Sequence, residues 1–149
     1  MEKKKKIKFY DTSSLLLKVD TLFEDNEKFA ISSITLEELE KIKTSANKDA
    51  DIKYAARKLI HELDEHMHEY DVEFYSTGKE KPLIKAGVEI NNDAKILSCA
   101  IDYEKKHGDI TFITNDLCLK HLACLFILDV QSVEEEKDDF IVDETEDLS

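Results

Sequence analysis

At 149 residues, with 42% hydrophobic and 37% charged side chains, the chain can bury one ordinary core but not two. No apolar run approaches the roughly 20 residues of a membrane span, and the basic run Lys3 to Lys6 lacks the apolar core of a secretory signal, so a cytoplasmic protein with no membrane partner is expected. The net charge of −13 is concentrated: residues 129–149 hold ten acids and one lysine, whereas residues 1–60 hold thirteen Lys or Arg against eleven Asp or Glu.

Residues 5–10 read as a first strand, and Asp11-Thr12-Ser13-Ser14 leads into a helix over about 13–25. Residues 29–34 form a second strand, followed by a helix over 35–46. Ile52, Ala55, Ala56, Leu59, Ile60 and Leu63 recur at helical spacing and predict a long helix to about Tyr70. Val72-Glu73-Phe74-Tyr75 is a third strand, and Gly78 and Pro82 mark a loop. A helix opens at Asn92-Asp93 and stops near Gly108. Residues 110–114 form a fourth strand, a short helix follows Asp116, and Leu125 to Val130 form a fifth strand. Repeated strand–helix units predict an α/β fold, a three-layer α/β/α sandwich around a mainly parallel sheet of about five strands. The expected domain spans 1–130, and residues 131–149 read as an acidic, flexible tail suited to solubility or to docking a protein partner.

Four acids, Asp11, Glu38, Asp93 and Asp116, sit where a strand or loop gives way to a helix. Each alone is explained by helix capping, and Thr35-Leu36-Glu37-Glu38 reads as a capping box. Together they say more, because a neutral capping residue, Thr12, Thr35, Asn92 or Asn115, lies close to each acid. An acid beside an available neutral cap indicates that negative charge itself is wanted. In an open parallel sheet the strand-to-helix junctions gather at one edge, where distant carboxylates can converge on a hard cation such as Mg²⁺ or Mn²⁺.

These residues resemble the PIN domain family. Phe9-Tyr10-Asp11-Thr12-Ser13 is similar to its opening strand and Asp-Thr/Ser element, and Glu38-Leu39-Glu40 to its Glu-Leu-Asp-like helix start. Asn92-Asp93-Ala94-Lys95-Ile96-Leu97 resembles its Asn-Asp-x-x-Ile-Leu element, and Thr114-Asn115-Asp116 its Thr-x-Asp element. Alignment on Leu39 and Glu40 selects Glu38 over Glu37, as does the apolar stripe Leu36, Leu39 and Ile42. Through Ala56-Arg57 the chain is most similar to the PIN domains that precede PhoH-like ATPases, although it has no phosphate-binding Gly-x-x-x-x-Gly-Lys loop. The resemblance implies a metal-dependent endoribonuclease that hydrolyses single-stranded RNA, with DNA as a second candidate substrate. The implied ligands and catalytic residues are Asp11, Glu38, Asp93 and Asp116, with Thr12, Thr114 and Asn115 holding them in position.

Lys41, Lys43, Lys48, Lys53, Arg57 and Lys58 follow Glu38 and could track a phosphate backbone into the site, with Tyr54 the one aromatic on that face. The rival expectations are a non-catalytic scaffold that binds RNA or protein, the toxin of a toxin–antitoxin pair, and a homodimeric assembly. A receiver-type signalling domain is disfavoured, because the third strand leads to Tyr75-Ser76-Thr77 rather than to a phosphorylatable Asp. His61 and His66 are five residues apart, which turns one imidazole roughly 140° from the other on a helix and defeats a zinc-protease arrangement; exposed histidines are expected. No Gly-x-Ser-x-Gly elbow is present. Cys99, Cys118 and Cys124 form no zinc pattern, and Cys118, His121 and Cys124 read as core packing.

Overall fold

A computed structural model describes residues 5–136 of the chain. Five short strands, β1 (Ile7–Tyr10), β2 (Phe29–Ser32), β3 (Tyr70–Glu73), β4 (Ile110–Ile113) and β5 (Asp129–Gln131), form one sheet in the order β3-β2-β1-β4-β5. Every pairing is parallel, with Ile7 opposite Ile110 and Phe29 opposite Tyr70. Among the described residues, six helices of five or more residues flank the sheet: α1 (Thr12–Leu17), α2 (Ser33–Thr44), α3 (Ala50–Glu65), α4 (Lys81–Lys85), α5 (Asn92–His107) and α6 (Leu117–Ala123).

The sheet divides the single core expected from the chain length into two parts, one on each face, through alternation along the strands. Phe9, Ala30, Ile110 and Phe112 point into a core shared with Leu83 of α4, Leu97 of α5 and Leu119 of α6. Tyr10, Phe29, Ile31 and Ile113 point the other way, against Leu15 of α1, Leu39 of α2 and Leu59 of α3. A strand buried on both faces reads as a continuous apolar run, which is why Ile110-Thr111-Phe112-Ile113 is legible. The α/β/α sandwich is therefore as expected, and its sheet is entirely parallel.

Local boundaries differ from the sequence reading where tertiary contacts decide them. α1 stops at Leu17, and the chain continues to Glu24 in successive three-residue turns that still deliver Leu22 to the core. Ser32, not Thr35, caps α2 by accepting from the Ile34 N–H at 3.0 Å, so the capping box does not form and Thr35 is buried inside the helix. Pro82 lies in the first turn of α4 instead of marking a loop, as its missing N–H permits there. β5 is shorter than predicted: Leu128 is 92% exposed and only Ile127 of that run is fully buried. Cys99 is buried, but Cys118 and Cys124 are exposed, which corrects their assignment to core packing. Among the described residues no helix is long and apolar enough to cross a membrane.

The folded unit extends past residue 130. Val133 joins Tyr10 and Ile113 in the second core, and a helical turn at 133–136 carries Glu136 inward. Glu136 meets Lys8 at 2.7 Å and Lys18 at 3.1 Å, and it accepts from the Tyr10 hydroxyl at 2.9 Å. Burial alone raises the Glu136 pKa, but the hydrogen bond and charge of Lys8, with Lys18 and Tyr10, outweigh it and hold the group below the ordinary glutamate range. Residues 131–136 thus belong to the fold rather than to a tail, and the rest of the proposed tail, 137–149, lies outside the described residues.

Replacing Glu136 with Gln leaves two lysines without their shared carboxylate and should lower the unfolding free energy by about 1–3 kcal/mol, measured by urea denaturation at pH 7. Because the native pKa of Glu136 is depressed, its contribution is present above the ordinary glutamate value and lost as pH falls through the native one. The stabilities of the two chains should therefore converge in acid.

Candidate metal centre

The strand order fixes where the acids meet. From β1 the chain proceeds outward through β2 to β3, then returns to the other side of β1 for β4 and β5, so the direction of winding reverses between β1 and β4. Adjacent helices leave that point on opposite faces and open a crevice at the carboxyl ends of the strands. Asp11 directly follows β1, and Asp116 lies three residues beyond the end of β4.

Asp11 is only 3% exposed. One oxygen caps α1 by accepting from the Ser14 N–H at 2.9 Å, and the other accepts from the Thr114 hydroxyl at 2.5 Å. Thr114, fully buried, in turn accepts from the Asp116 N–H at 3.1 Å, so one hydroxyl couples the two acids across the reversal. Asp116 is exposed and caps α6, accepting from the Leu119 N–H at 3.0 Å. Thr12 donates to Glu38 at 2.6 Å and pairs with Thr35 at 3.0 Å, which ties the start of α1 to the second turn of α2. Asp93 lies in the first turn of α5 but does not cap it; Asn91 does, accepting from the Ala94 N–H. Neutral residues thus cap α2 and α5, which leaves the Glu38 and Asp93 carboxylates free of capping.

Asp11, Glu38 and Asp93 line one cavity of about 370 Å³, together with Thr12, Lys41 and Lys48. Asp116 stands outside that lining, and its link is electrostatic. Burial, then the charges of Asp116, Glu38 and Asp11 in that order, push the Asp93 carboxyl above the ordinary aspartate range. All four acids therefore share one field. Among the described residues none of the four forms an ion pair with Lys, Arg or His, unlike Glu136 or Glu73, which is held by Lys79 and by Lys106 at 2.6 Å.

The donor set is oxygen only and uncompensated, and it fits a hard divalent cation that retains part of its water shell. It is not a closed cage. Among the described residues, only Glu62, Glu65 and His66 have ligand atoms within 4.8 Å of one another, so no three of the four acids approach that closely. That trio lies at the end of α3, where His66 is half-buried against the Phe23 ring at 4.1 Å and paired with Glu62 and Glu69. His61 and His68 are exposed.

Two expectations need adjustment. Asn115 positions no acid; its side chain accepts from the Val133 N–H at 2.8 Å and pins the C-terminal turn. Of the basic residues, Lys41 and Lys48 line the cavity, whereas Lys43, Lys53 and Arg57 do not. Lys43 pairs with Glu40 and Lys58 with Asp20. Ser13, Ser45 and Asn92 also line the cavity, and Thr35 supports Thr12; only the position of Ser13 and Asn92 beside an acid signals this in the sequence.

The carboxyl edge at the winding reversal of a parallel α/β sheet is where such folds bind their ligands, and here that edge is acidic. A PIN domain profile matches residues 9–134, most of the chain, and the protein belongs to the PIN domain family. Members of this family are commonly nucleases and typically use divalent metals. Among solved structures, the chain is similar to a domain of a functionally unknown protein from Methanocaldococcus jannaschii DSM 2661, at 21% identity and a TM-score of 0.54, over 85% of this chain and 89% of that one. At this identity the likeness shows the fold alone. No curated protein matches the sequence.

The raised Asp93 pKa makes its ionised form a burden on the fold. Stability from this group is full below the unfolded-state value near 3.9 and is lost as pH rises through the native one. In EDTA, Asp93→Asn should therefore be more stable than the unaltered chain at pH 7, by up to about 1 kcal/mol, and equal to it near pH 3. Melting temperatures across that range check this.

Proposed function

We propose that the protein is a divalent-metal-dependent endoribonuclease acting on single-stranded RNA. The observation that carries the reading is the set of four carboxylates in one field with no cationic partner among the described residues. Such a set is costly for a fold and useful to a cation. Asp11, Asp93 and Asp116 would hold Mg²⁺ or Mn²⁺, and Glu38 would complete the set. The bound ion supplies charge neutralisation for the phosphoryl oxygens and acidifies a water nucleophile.

The chain's own residues supply the rest. Thr114 fixes the Asp11 carboxylate while leaving each oxygen a further lone pair for a ligand. Thr12 occupies one oxygen of Glu38, so the other is free to accept a proton from an attacking water or to orient it. Lys41 and Lys48, on the cavity wall and without an ion pair among the described residues, would meet the phosphate backbone. Their reach is along the strand rather than into base edges, which fits modest, salt-sensitive and sequence-tolerant binding.

Matched RNA and DNA oligonucleotides incubated with the protein and Mn²⁺ test the reading. Cleavage of the single-stranded RNA, its loss in EDTA, and a drop of about 10²-fold or more in Asp11→Asn and Asp116→Asn are expected. Cleavage undiminished in both variants would overturn the site, and binding without cleavage would support a scaffold instead. Replacing Lys41 and Lys48 together with Ala should make the salt dependence of RNA binding shallower by roughly 1.4 in log–log slope.

A further inference from the structure

Two carboxylates of the crevice receive their hydrogen bonds in the same way. Asp11 accepts from Thr114 at 2.5 Å, and Thr114 accepts in turn from the Asp116 N–H at 3.1 Å. Glu38 accepts from Thr12 at 2.6 Å, and behind Thr12 stands the Thr35 hydroxyl at 3.0 Å. In the first chain the order is forced, because an N–H can only donate. In the second it is forced from the other end. An ionised carboxylate has no proton to give, so the one proton of Thr12 lies toward Glu38, and the Thr35 hydroxyl must donate to Thr12. Both terminal bonds, at 2.5 and 2.6 Å, have the length of charge-assisted O–H···O⁻ bonds.

Packing gives Thr35 no reason to be polar. It is fully buried in a helix whose other buried residues, Ile34 and Leu39, are apolar. Valine has the same branched shape and would fill the position without the cost of burying a hydroxyl. Among the described residues the Thr35 side chain has no hydrogen-bond partner but Thr12. Thr35 precedes Glu38 by three positions, so the two side chains are neighbours on the surface of α2. The helix thus grips the Thr12 hydroxyl twice, once donating to it and once accepting from it. Donation into a hydroxyl polarises its own O–H and strengthens the bond it makes onward. The consequence falls on Glu38: one oxygen is tied down, and the carboxylate is held at a fixed place in the cavity it shares with Asp11 and Asp93.

We infer that Thr35 is a positioning residue of the metal centre, acting through Thr12 to hold the Glu38 carboxylate in place for the cation. The inference rests on the proposed reading of the crevice as a cation site, and it gives a residue outside the cavity lining a share in the cation affinity.

Two substitutions separate the hydroxyl from the packing. Thr35→Val keeps the branched shape and removes the donor, whereas Thr35→Ser keeps the donor and removes the methyl. Folding is checked by circular dichroism, and Mn²⁺ binding is measured by electron paramagnetic resonance of the free ion, beside cleavage of single-stranded RNA. Thr35→Val should bind Mn²⁺ about tenfold more weakly and lose about as much in kcat at an unchanged KM for RNA, while Thr35→Ser stays within about twofold of the unaltered chain. A packing role predicts the reverse order, since serine leaves a void where valine does not. Thr35→Ala set against Thr35→Ser repeats the comparison with the methyl absent from both, should the valine variant not fold. Mn²⁺ affinity in Thr35→Val equal to that of the unaltered chain overturns the inference, as does an equal loss in Thr35→Ser; cleavage by the unaltered chain then leaves the nuclease reading standing. Weakened Mn²⁺ binding in Thr35→Val, without RNA cleavage by any of these proteins, sinks the nuclease reading and supports the role of Thr35. No Mn²⁺ binding by the unaltered chain overturns both.

Discussion

One buried hydroxyl joins the two strands on which everything else depends. Thr114 donates to Asp11 at the end of β1 and accepts from the backbone of Asp116 beyond β4, across the line where the winding of the sheet reverses. The helices that follow, α1 and α6, depart to opposite faces, each capped by the acid that precedes it. Capping and clustering are therefore one arrangement. Each carboxylate satisfies helix N–H groups and still presents charge to the crevice, since an ionised carboxylate has about four lone-pair directions to fill.

Elsewhere the protein treats buried acids differently. Glu136 is enclosed by Lys8, Lys18 and the Tyr10 hydroxyl, and Glu73 by Lys79 and Lys106, so these charges stabilise the fold as ordinary structural pairs. The crevice receives no such compensation from the described residues, and the Asp93 pKa rises as a result. Lys41 and Lys48 stand on the cavity wall without pairing to it. A fold able to neutralise its acids, and doing so twice, leaves one set exposed to its own repulsion, which is the pattern expected of sites kept for function at a cost in stability.

Much of this was legible because strand and helix carry different periods. Apolar runs such as Ile110 to Ile113 located the sheet, and the acids directly after them located its carboxyl edge. What could not be read was anything decided by residues far apart. Thr114 and Asp11 are separated by 103 positions, and no local pattern shows that the hydroxyl of one faces the carboxylate of the other. Thr35 looked like a cap because of its spacing to Glu38, but Ser32 was equally suited and the partner across the crevice, Thr12, drew Thr35 inside. The sign of a charge also says nothing about its partner: Glu136 sits in an acidic run yet is folded inward, and Lys43 lies two residues from Lys41 yet turns to Glu40.

The closure of Glu136 onto Lys8 has an architectural corollary. The first and last described segments meet, since β1 and the turn at 133–136 are joined through Lys8 and Glu136, and Lys6 reaches Asp129 at 3.4 Å. A domain whose entry and exit are neighbours can be grafted into a surface loop of a host protein without stretching either, or reconnected end to end and reopened elsewhere.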